Sequence, residues 1–422
     1  MNEETTSLGR APRIAVVTMG VKLGDETRGY TRFRFLAQLL SDRGFDVTLV
    51  TSSFQHWNKA HRDTSRACYR RYPFRVVFID EPGYKRNLDL GRIRSHAKAA
   101  KNMRAFFERE FSADPHAFDL IYAEIPPNDV ALACAEEAHA HGVPFVVDVN
   151  DLWPEAMRMV VNVPVLSDIA FRPFARDAKR TYELVSGAVG TSDEYAARPA
   201  QNRTEPYPHA TVYVGNDLSQ FDEGVAENSA KIAKPEGEIW ATYAGTLGAS
   251  YDIPTLIDAA AALEAKRKER TPRIRVKILG DGPDRTQFES RARSANAPVD
   301  FLGYTPYDLM AAYLAASDIT VNSLVKGSAQ SIVTKIGDYL AAGKPMINTG
   351  ESPEFCAKVD ADGFGVNVEP NDVAALAGAI EALADAPEAR AAMGRRARDV
   401  AMREFDQRTS YLKIVELIES LL

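Results

Sequence analysis

Lys335 stands where elementary electrostatics disfavours a cation. The stretch SIVTKIGDYLAAGKP, residues 331–345, reads as one short helix with Thr334 as N-cap, Lys335 as first helical residue and Gly343 as the stop. A helix N-terminus carries about half a positive charge, so an ammonium there is repelled by the backbone. A strongly anionic ligand between the two removes the conflict. In that arrangement the ammonium and the free N–H groups at the helix start grip a diphosphate, and Asp338 accepts hydrogen bonds from ribose hydroxyls. The plain alternative is a Lys335–Asp338 surface pair worth about 0.2–0.5 kcal/mol, in the poorer orientation with lysine ahead of the acid.

Three turns upstream carry glycine directly after an apolar run: Gly245-Thr246-Leu247-Gly248, Gly280-Asp281-Gly282-Pro283 and Gly303-Tyr304. Glycine lets backbone N–H groups approach a phosphate closely, although a tight strand–helix turn also needs it for geometry alone. A fourth turn, KGSAQS, leads into the lysine helix.

These turns must be held by a sheet. Apolar runs predict strands at 13–19, 46–52, 75–80, 119–125, 143–149 and 211–215, and again at 239–245, 274–280, 299–303, 319–325, 345–349 and 365–369. Helical patterns lie between them, such as TRFRFLAQLLSDRG, which ends at a glycine. Strand and helix in alternation predict parallel α/β sheets covered on both faces. The polar stretch 216–238 is the candidate linker. The expected organisation is therefore an N-terminal Rossmann-like domain at 1–217, a linker at 218–238 and a second such domain at 239–404. Two doubly wound domains would then face each other across a cleft, with strand carboxyl ends aimed into it.

Composition narrows the partners. The chain has 422 residues, 45% hydrophobic and 26% charged, with a formal net charge of −7, which argues against a general nucleic-acid binder. Three dispersed cysteines form neither a disulfide framework nor a zinc site, and every histidine precedes residue 210. His139 and His141 beside Gly142 read as C-terminal helix capping. The opening MNEETTSLGR has no apolar core of a signal peptide, and no run is long enough to span a bilayer. A cytoplasmic location is expected.

The motifs YAGTLGASYDIPTLIDAA, ILGDGPDR, VDFLGYTPYDLMAAYLAASDI and TKIGDYLAAGKP, in this order, resemble the donor domain of glycosyltransferase family 4. In the first half, GDETRGYTRFRFLAQLL resembles the family's glycine loop and first helix. VVDVNDLWPE resembles the DLWPE segment of surface-polysaccharide enzymes, and YVGNDLSQF the signature entering the linker. The resemblance implies a GT-B fold, a retaining, metal-independent sugar transfer, and a nucleotide-diphosphate sugar, UDP- or GDP-linked, as donor with no further cofactor. It implies a glycan or polyprenyl-linked acceptor in capsule, exopolysaccharide or O-antigen synthesis. It also implies that the last segment, 405–422, crosses back to the first domain.

Carried onto this sequence, the resemblance places Gly303 and Tyr304 near the base, with Gly280 and Gly282 nearby, and Asp338 on the ribose. The Gly245, Thr246, Leu247 and Gly248 turn, the backbone of Ser331, Ile332, Val333 and Thr334, and Lys335 would hold the diphosphate. Gly29 would let the first loop approach the donor. Asp151 is the candidate for orienting or deprotonating an acceptor hydroxyl, or else a cap of the turn before Pro154. Arg28 and Arg32 either contact phosphate or acceptor or are solvated. The family's Glu-x7-Glu motif departs here: its second position is Asp338 and its first is Gln330. The Arg and Lys that many members carry after the first donor strand are absent from GTLGASYDI, which leaves Lys335 as the main diphosphate cation. Asp360-Ala361-Asp362 has the spelling of a metal site but reads as a turn before Gly363.

Residues 51–106 carry thirteen Lys or Arg against four acids, interleaved with aromatics such as Phe54, Trp57 and Tyr84. Such a segment could dock on an anionic membrane surface, here the inner face of the plasma membrane, or bind an acidic glycan or a lipid-linked pyrophosphate, or be a solvated basic face. Other readings are a non-catalytic nucleotide-sugar-binding subunit, or an epimerase or hydrolase of the same fold. A dinucleotide-dependent dehydrogenase is disfavoured, because no strand leads into a full G-x-G-x-x-G.

Overall fold

A computed structural model describes residues 10–23, 26, 32–86, 89–160, 166–203, 205–268, 272–328 and 332–422. Arg28, Gly29, Gln330 and Ser331 lie outside the described residues. The chain divides into two compact units, one running to Val212 and completed by Tyr411–Leu422, the other spanning Tyr213–Ser410.

The first unit is built on a parallel sheet of β1 (Arg13–Val17), β2 (Asp46–Ser52), β5 (Arg75–Ile79), β6 (Leu120–Ile125), β7 (Phe145–Val149), β8 (Gly187–Gly190) and β9 (His209–Thr211). A small antiparallel hairpin, β3 (Phe54–Gln55) and β4 (Ala60–His61), stands apart from it. The order across the main sheet is β5-β2-β1-β6-β7-β8-β9. Successive strand residues point to opposite faces, and here both faces are covered. Ala15, Val17, Ile121 and Ala123 enter one core, with Met103 and Phe107 of the helix Leu90–Ala113. Ile14, Val16, Leu120 and Tyr122 enter the other, with Leu36 and Leu40 of the helix Arg32–Asp42. The helix Leu412–Glu419 closes that second face through Ile414, Val415 and Ile418.

Between these layers lies a buried ion pair. Arg32 donates from Nε and Nη2 to both oxygens of Asp148 on β7, at 2.8 and 3.0 Å, and both side chains are fully inaccessible. Tyr122 donates its hydroxyl to Asp148 at 2.6 Å, and Arg32 also reaches the carbonyl of Val212 at 3.0 Å and the ring of Tyr411. Both expectations for Arg32, ligand contact and solvation, are therefore corrected. Its guanidinium is consumed by a carboxylate inside the protein.

The second unit has a parallel sheet of β10 (Glu238–Ala244), β11 (Arg273–Leu279), β12 (Val299–Gly303), β13 (Ile319–Asn322), β14 (Met346–Asn348) and β15 (Gly365–Asn367), in the order β12-β11-β10-β13-β14-β15. Tyr243, Ile278, Val321 and Ile347 fill one core; Ala244, Leu279 and Met346 fill the other, with Tyr339 and Leu340.

Three expectations change. Residues 218–228 are not a loose linker: they form the helix Leu218–Asn228, capped by Asp217, with Phe221 buried. Gly224 lets this helix lie against Asp308, since a Cβ there would fall 2.8 Å from the Asp308 backbone. The last strand of the first sheet is His209–Thr211 rather than 211–215. The four-residue β8, GAVG, has no β-branched run to announce it.

Candidate functional site

In a doubly wound parallel sheet, ligands bind beyond the strand carboxyl ends where the strand order reverses. In the second sheet that point lies between β10 and β13. β10 ends at Ala244 and runs into Gly245; β13 leads toward the segment before Lys335. The Lys335 ammonium lies there, 4.1 Å from the ring centre of Tyr243 and 4.0 Å from that of Tyr251. It is buried and has no hydrogen-bond partner among the described residues. Burial holds its pKa well below the usual lysine value. The stem of the residue keeps some exposure although the ammonium does not. A Cβ on Gly245 would stand 3.2 Å from that ammonium, so the loop passes directly beside it.

The helix itself is shorter than expected. It spans Ile336–Ala341, and Lys335 occupies the N-cap position without a side-chain cap bond, displacing Thr334 from that role. Thr334 is exposed in the preceding turn, while Ile332 and Val333 are half-buried against the core. Gly343 follows the helix with φ +63°, as a stop residue should. No Lys335–Asp338 pair forms. Asp338 Oδ1 instead accepts from Asn216 Nδ2 at 2.8 Å and from the Tyr307 hydroxyl at 2.9 Å. Burial raises its pKa to about 6 against the pull of those two bonds, although part of the residue's surface stays open.

The glycine turns act on one another. The N–H of Gly245 goes to Leu279 O at 2.9 Å, that of Leu247 to Asp281 O at 3.0 Å, and that of Gly280 to Gly303 O at 2.7 Å. Gly282 N–H is taken by Asp281 Oδ1 at 2.8 Å, and the Leu247 side chain is in the core. These four N–H groups are thus occupied by protein and not offered to a phosphate, which corrects that expectation. Gly280, with φ +131°, shows why glycine is needed: a Cβ would lie 1.9 Å from Gly245 O. Gly280→Ala is expected to lower stability by about 2–4 kcal/mol, measured by denaturant unfolding. Thr246 is exposed, whereas Gly248 is buried, where an added Cβ would meet the Pro283 and Thr246 side chains at 3.9 Å.

Tyr304 is 80% exposed beside Gly303. Next to it sits Arg285, whose Nη1 would be 2.9 Å from a Cβ on Gly303; it is held by Glu289 at 2.8 Å and Asp281 at 3.5 Å. Sequence reasoning passed over Arg285, Tyr243 and Tyr251. A cation just after a glycine turn, as at Lys335, was the available signal for Arg285. Nothing marked the tyrosines, because alternation along β10 assigns Tyr243 to the core.

The reversal point of the first sheet lies between β1 and β6. There Glu124 accepts from Met19 N–H at 2.5 Å and Gly20 N–H at 3.1 Å. Burial lifts its pKa to about 7, opposed by the Thr18 hydroxyl and these N–H groups. It was not anticipated. Asp151 binds its own turn: one oxygen accepts from Leu152 N–H at 2.8 Å, the other from the Trp153 indole at 3.2 Å. Burial raises its pKa, with Arg92 opposing.

The basic segment does not form a single face. Arg62 is nearly inaccessible and clamps Glu26 at 2.7 Å. Arg92 lies 4.5 Å over the Trp153 ring, and Arg75 and Arg104 pair with Glu110 and Glu136. Exposed cations remain at Lys85, Arg86, Arg94, Lys98 and Lys101, around the exposed Leu90 and Ile93. Among the described residues no cluster of three His, Cys, Asp or Glu could hold a metal ion. Asp360 and Asp362 close the helix Pro353–Asp362, capped by Gly363, rather than forming a free turn.

The fold defined by these two units is GT-B, and solved structures of that fold match along nearly all of the chain. Residues 225–400 match the family described as glycosyl transferases group 1. Sucrose-phosphate synthase from Thermosynechococcus elongatus superposes with TM-score 0.70 at 16% identity, covering 97% of this chain and 99% of that one. Anabaena HepE in complex with UDP gives 0.68 at 16% identity, over 97% and 100%. WaaG, a glycosyltransferase involved in lipopolysaccharide biosynthesis, gives 0.61 at 15%, over 96% and 98%. No curated protein sequence matches the chain.

Proposed function

We propose that the protein is a retaining glycosyltransferase of family 4 that moves a sugar from a UDP- or GDP-sugar to a hydroxyl of a glycan or polyprenyl-linked acceptor in surface-polysaccharide assembly. The observation that carries this reading is the Lys335 ammonium, buried between two tyrosine rings beside Gly245 with no hydrogen-bond partner among the described residues. A buried cation without a counter-charge is costly unless a ligand supplies one. The donor diphosphate is such a ligand. As the bond from the sugar's anomeric carbon to phosphate breaks, its electron pair goes to the phosphate oxygen. A preorganised ammonium stabilises the growing charge without a metal. The acceptor hydroxyl forms the new bond on the same face, and its proton leaves with the diphosphate. Support from relatives is of the same kind: HepE has been solved with UDP-glucose and with UDP and glucose. Asp338, tied through one oxygen, keeps lone pairs for a ribose hydroxyl.

The test is a thermal-shift panel of UDP-, GDP- and ADP-sugars, followed by donor-hydrolysis measurements. A ligand at about 100 times its Kd should stabilise the protein by about 2.7 kcal/mol. No shift with any of them ends the reading; a shift without turnover under any acceptor indicates a binding subunit instead.

Binding should also take up a proton. Burial depresses the Lys335 pKa in the free protein, and a bound diphosphate raises it. Between those two values the free lysine is partly neutral and the bound one is charged, so protons are absorbed. Calorimetric UDP titrations over a range of pH, in buffers of different ionisation enthalpy, should show uptake that is greatest midway between the free-state and bound-state pKa values and vanishes well above and well below both.

For the membrane, we propose that Leu90 and Ile93, rimmed by Lys85, Arg86, Arg94, Lys98 and Lys101, touch the lipid surface. Each basic residue near an anionic surface contributes about 1 kcal/mol. Among the described residues no helix is long and apolar enough to cross a membrane. Co-sedimentation with liposomes should rise with anionic lipid content; indifference to it rejects the docking.

A further inference from the structure

We infer that the reversal point of the first sheet is a subsite for a sugar ring carrying an anionic group, with Trp57 as the stacking platform, Glu124 as the hydroxyl acceptor and Lys22 as the charge partner. This rests on the glycosyltransferase reading only in naming the ring an acceptor; the subsite itself stands on the first unit alone.

Trp57 projects from the hairpin between β3 and β4, and is 48% exposed. Its backbone N–H is tied to Gln55 Oε1 at 2.7 Å, and the ring of His56 stands edge-on to it at 5.5 Å, so the indole is held rather than loose. An indole left half in water at the carboxyl end of a parallel sheet offers its face to the C–H side of a pyranose. Gly20 lies between the platform and the carboxylate. A Cβ there would meet Trp57 Cη2 and Glu124 Oε1 at 3.7 Å each, which brings the edge of the indole and the carboxylate to the same glycine. Glu124 is held by Met19 and Gly20 N–H and keeps part of its surface open. A carboxylate has about four acceptor sites, so it can still accept from a sugar hydroxyl.

Charge selects the class of sugar. The Lys22 ammonium lies 4.8 Å over the Trp57 ring, on the platform itself. The nearest acid in sequence, Glu26, is engaged by Arg62 at 2.7 and 3.2 Å and by Leu23 N–H at 2.7 Å. Lys22 is therefore placed to meet an anion on a ring stacked against Trp57, whether a uronate carboxylate or a sugar phosphate.

The test uses the full-length protein and tryptophan fluorescence. Methyl glucuronide, glucose 6-phosphate and neutral methyl glucoside are titrated separately. Saturable quenching is expected, tighter by about fivefold or more for an anionic sugar than for the neutral one. The glucuronide and phosphate arms tell the two anions apart. Lys22→Met should erase that preference, and Glu124→Gln should weaken all three. Trp57→Phe should remove the signal while saturation-transfer NMR still detects weakened binding. Gly20 has no positive φ and a Cβ there stands at ordinary contact distance, so Gly20→Ala should fold while crowding the site and weakening sugar binding. Unchanged melting of each variant, with its UDP shift intact, certifies folding. No saturable quenching, or a preference that survives Lys22→Met, overturns the inference. Loss of the UDP response in the parent protein would instead sink the proposed donor site and leave the sugar titrations standing.

Discussion

Lys335→Met should lose sugar transfer by about 10²–10³ in kcat, the effect of removing a charge donor worth about 3–4 kcal/mol at the leaving group. The same variant should keep its stability to within about 1 kcal/mol. Two opposing effects meet at this residue. The ammonium stacks on Tyr243 and Tyr251, and a desolvated cation–π contact is worth about 2 kcal/mol. Against this stands the desolvation of a cation with no hydrogen-bond partner among the described residues, of several kcal/mol. Methionine has nearly the same length and makes its own contacts with aromatic rings, so the slot stays filled. Steady-state turnover of the UDP- or GDP-sugar and a denaturant melt measure the two halves. Full activity in Lys335→Met contradicts the proposed role. A collapse in stability would mean that the lysine is a structural plug.

Arg32→Met is expected to behave in the opposite way, with a loss of about 3–5 kcal/mol in stability, because it strands Asp148 as an uncompensated buried charge. Asp148→Leu should be similarly destabilising, since it leaves Arg32 without its carboxylate. The double variant Arg32→Met with Asp148→Leu should recover most of the loss, as replacing a whole buried pair by apolar residues often does. The Tyr122 hydroxyl, which donates to Asp148, sets the residual deficit in the double variant. A double-mutant cycle by urea unfolding isolates the coupling. Had Arg32 contacted phosphate or acceptor, the single variant would change kinetics and leave unfolding alone.

Sequence and structure part company at identifiable places. Strand positions were legible because runs such as IAVV and LIYA must be apolar on both faces when helices cover both sides of a sheet. The cation of the lysine helix was legible because its conflict with the backbone is local. The helix at Leu218–Asn228 was hidden by polarity: its buried face is only Leu218, Phe221, Gly224 and Asn228, too sparse to stand out among acids and amides. Asp338 was placed rightly on the helix face, but not its partners, since Asn216 and Tyr307 are 122 and 31 residues away.

By itself the sequence determined the class of the sheets, the order of the turns and which helix carries the unusual lysine, because periodicity, glycine punctuation and local charge act over a few residues. Only the tertiary structure decided which charges pair with each other and which lie against aromatic rings. Arg32 and Lys335 both sit at the start of a helix, yet one meets Asp148 and the other lies against the rings of Tyr243 and Tyr251. That outcome depends on strands brought together from distant parts of the chain. The glycine turns follow the same logic: their N–H groups looked free along the chain and were taken by neighbouring loops once the strands lay side by side.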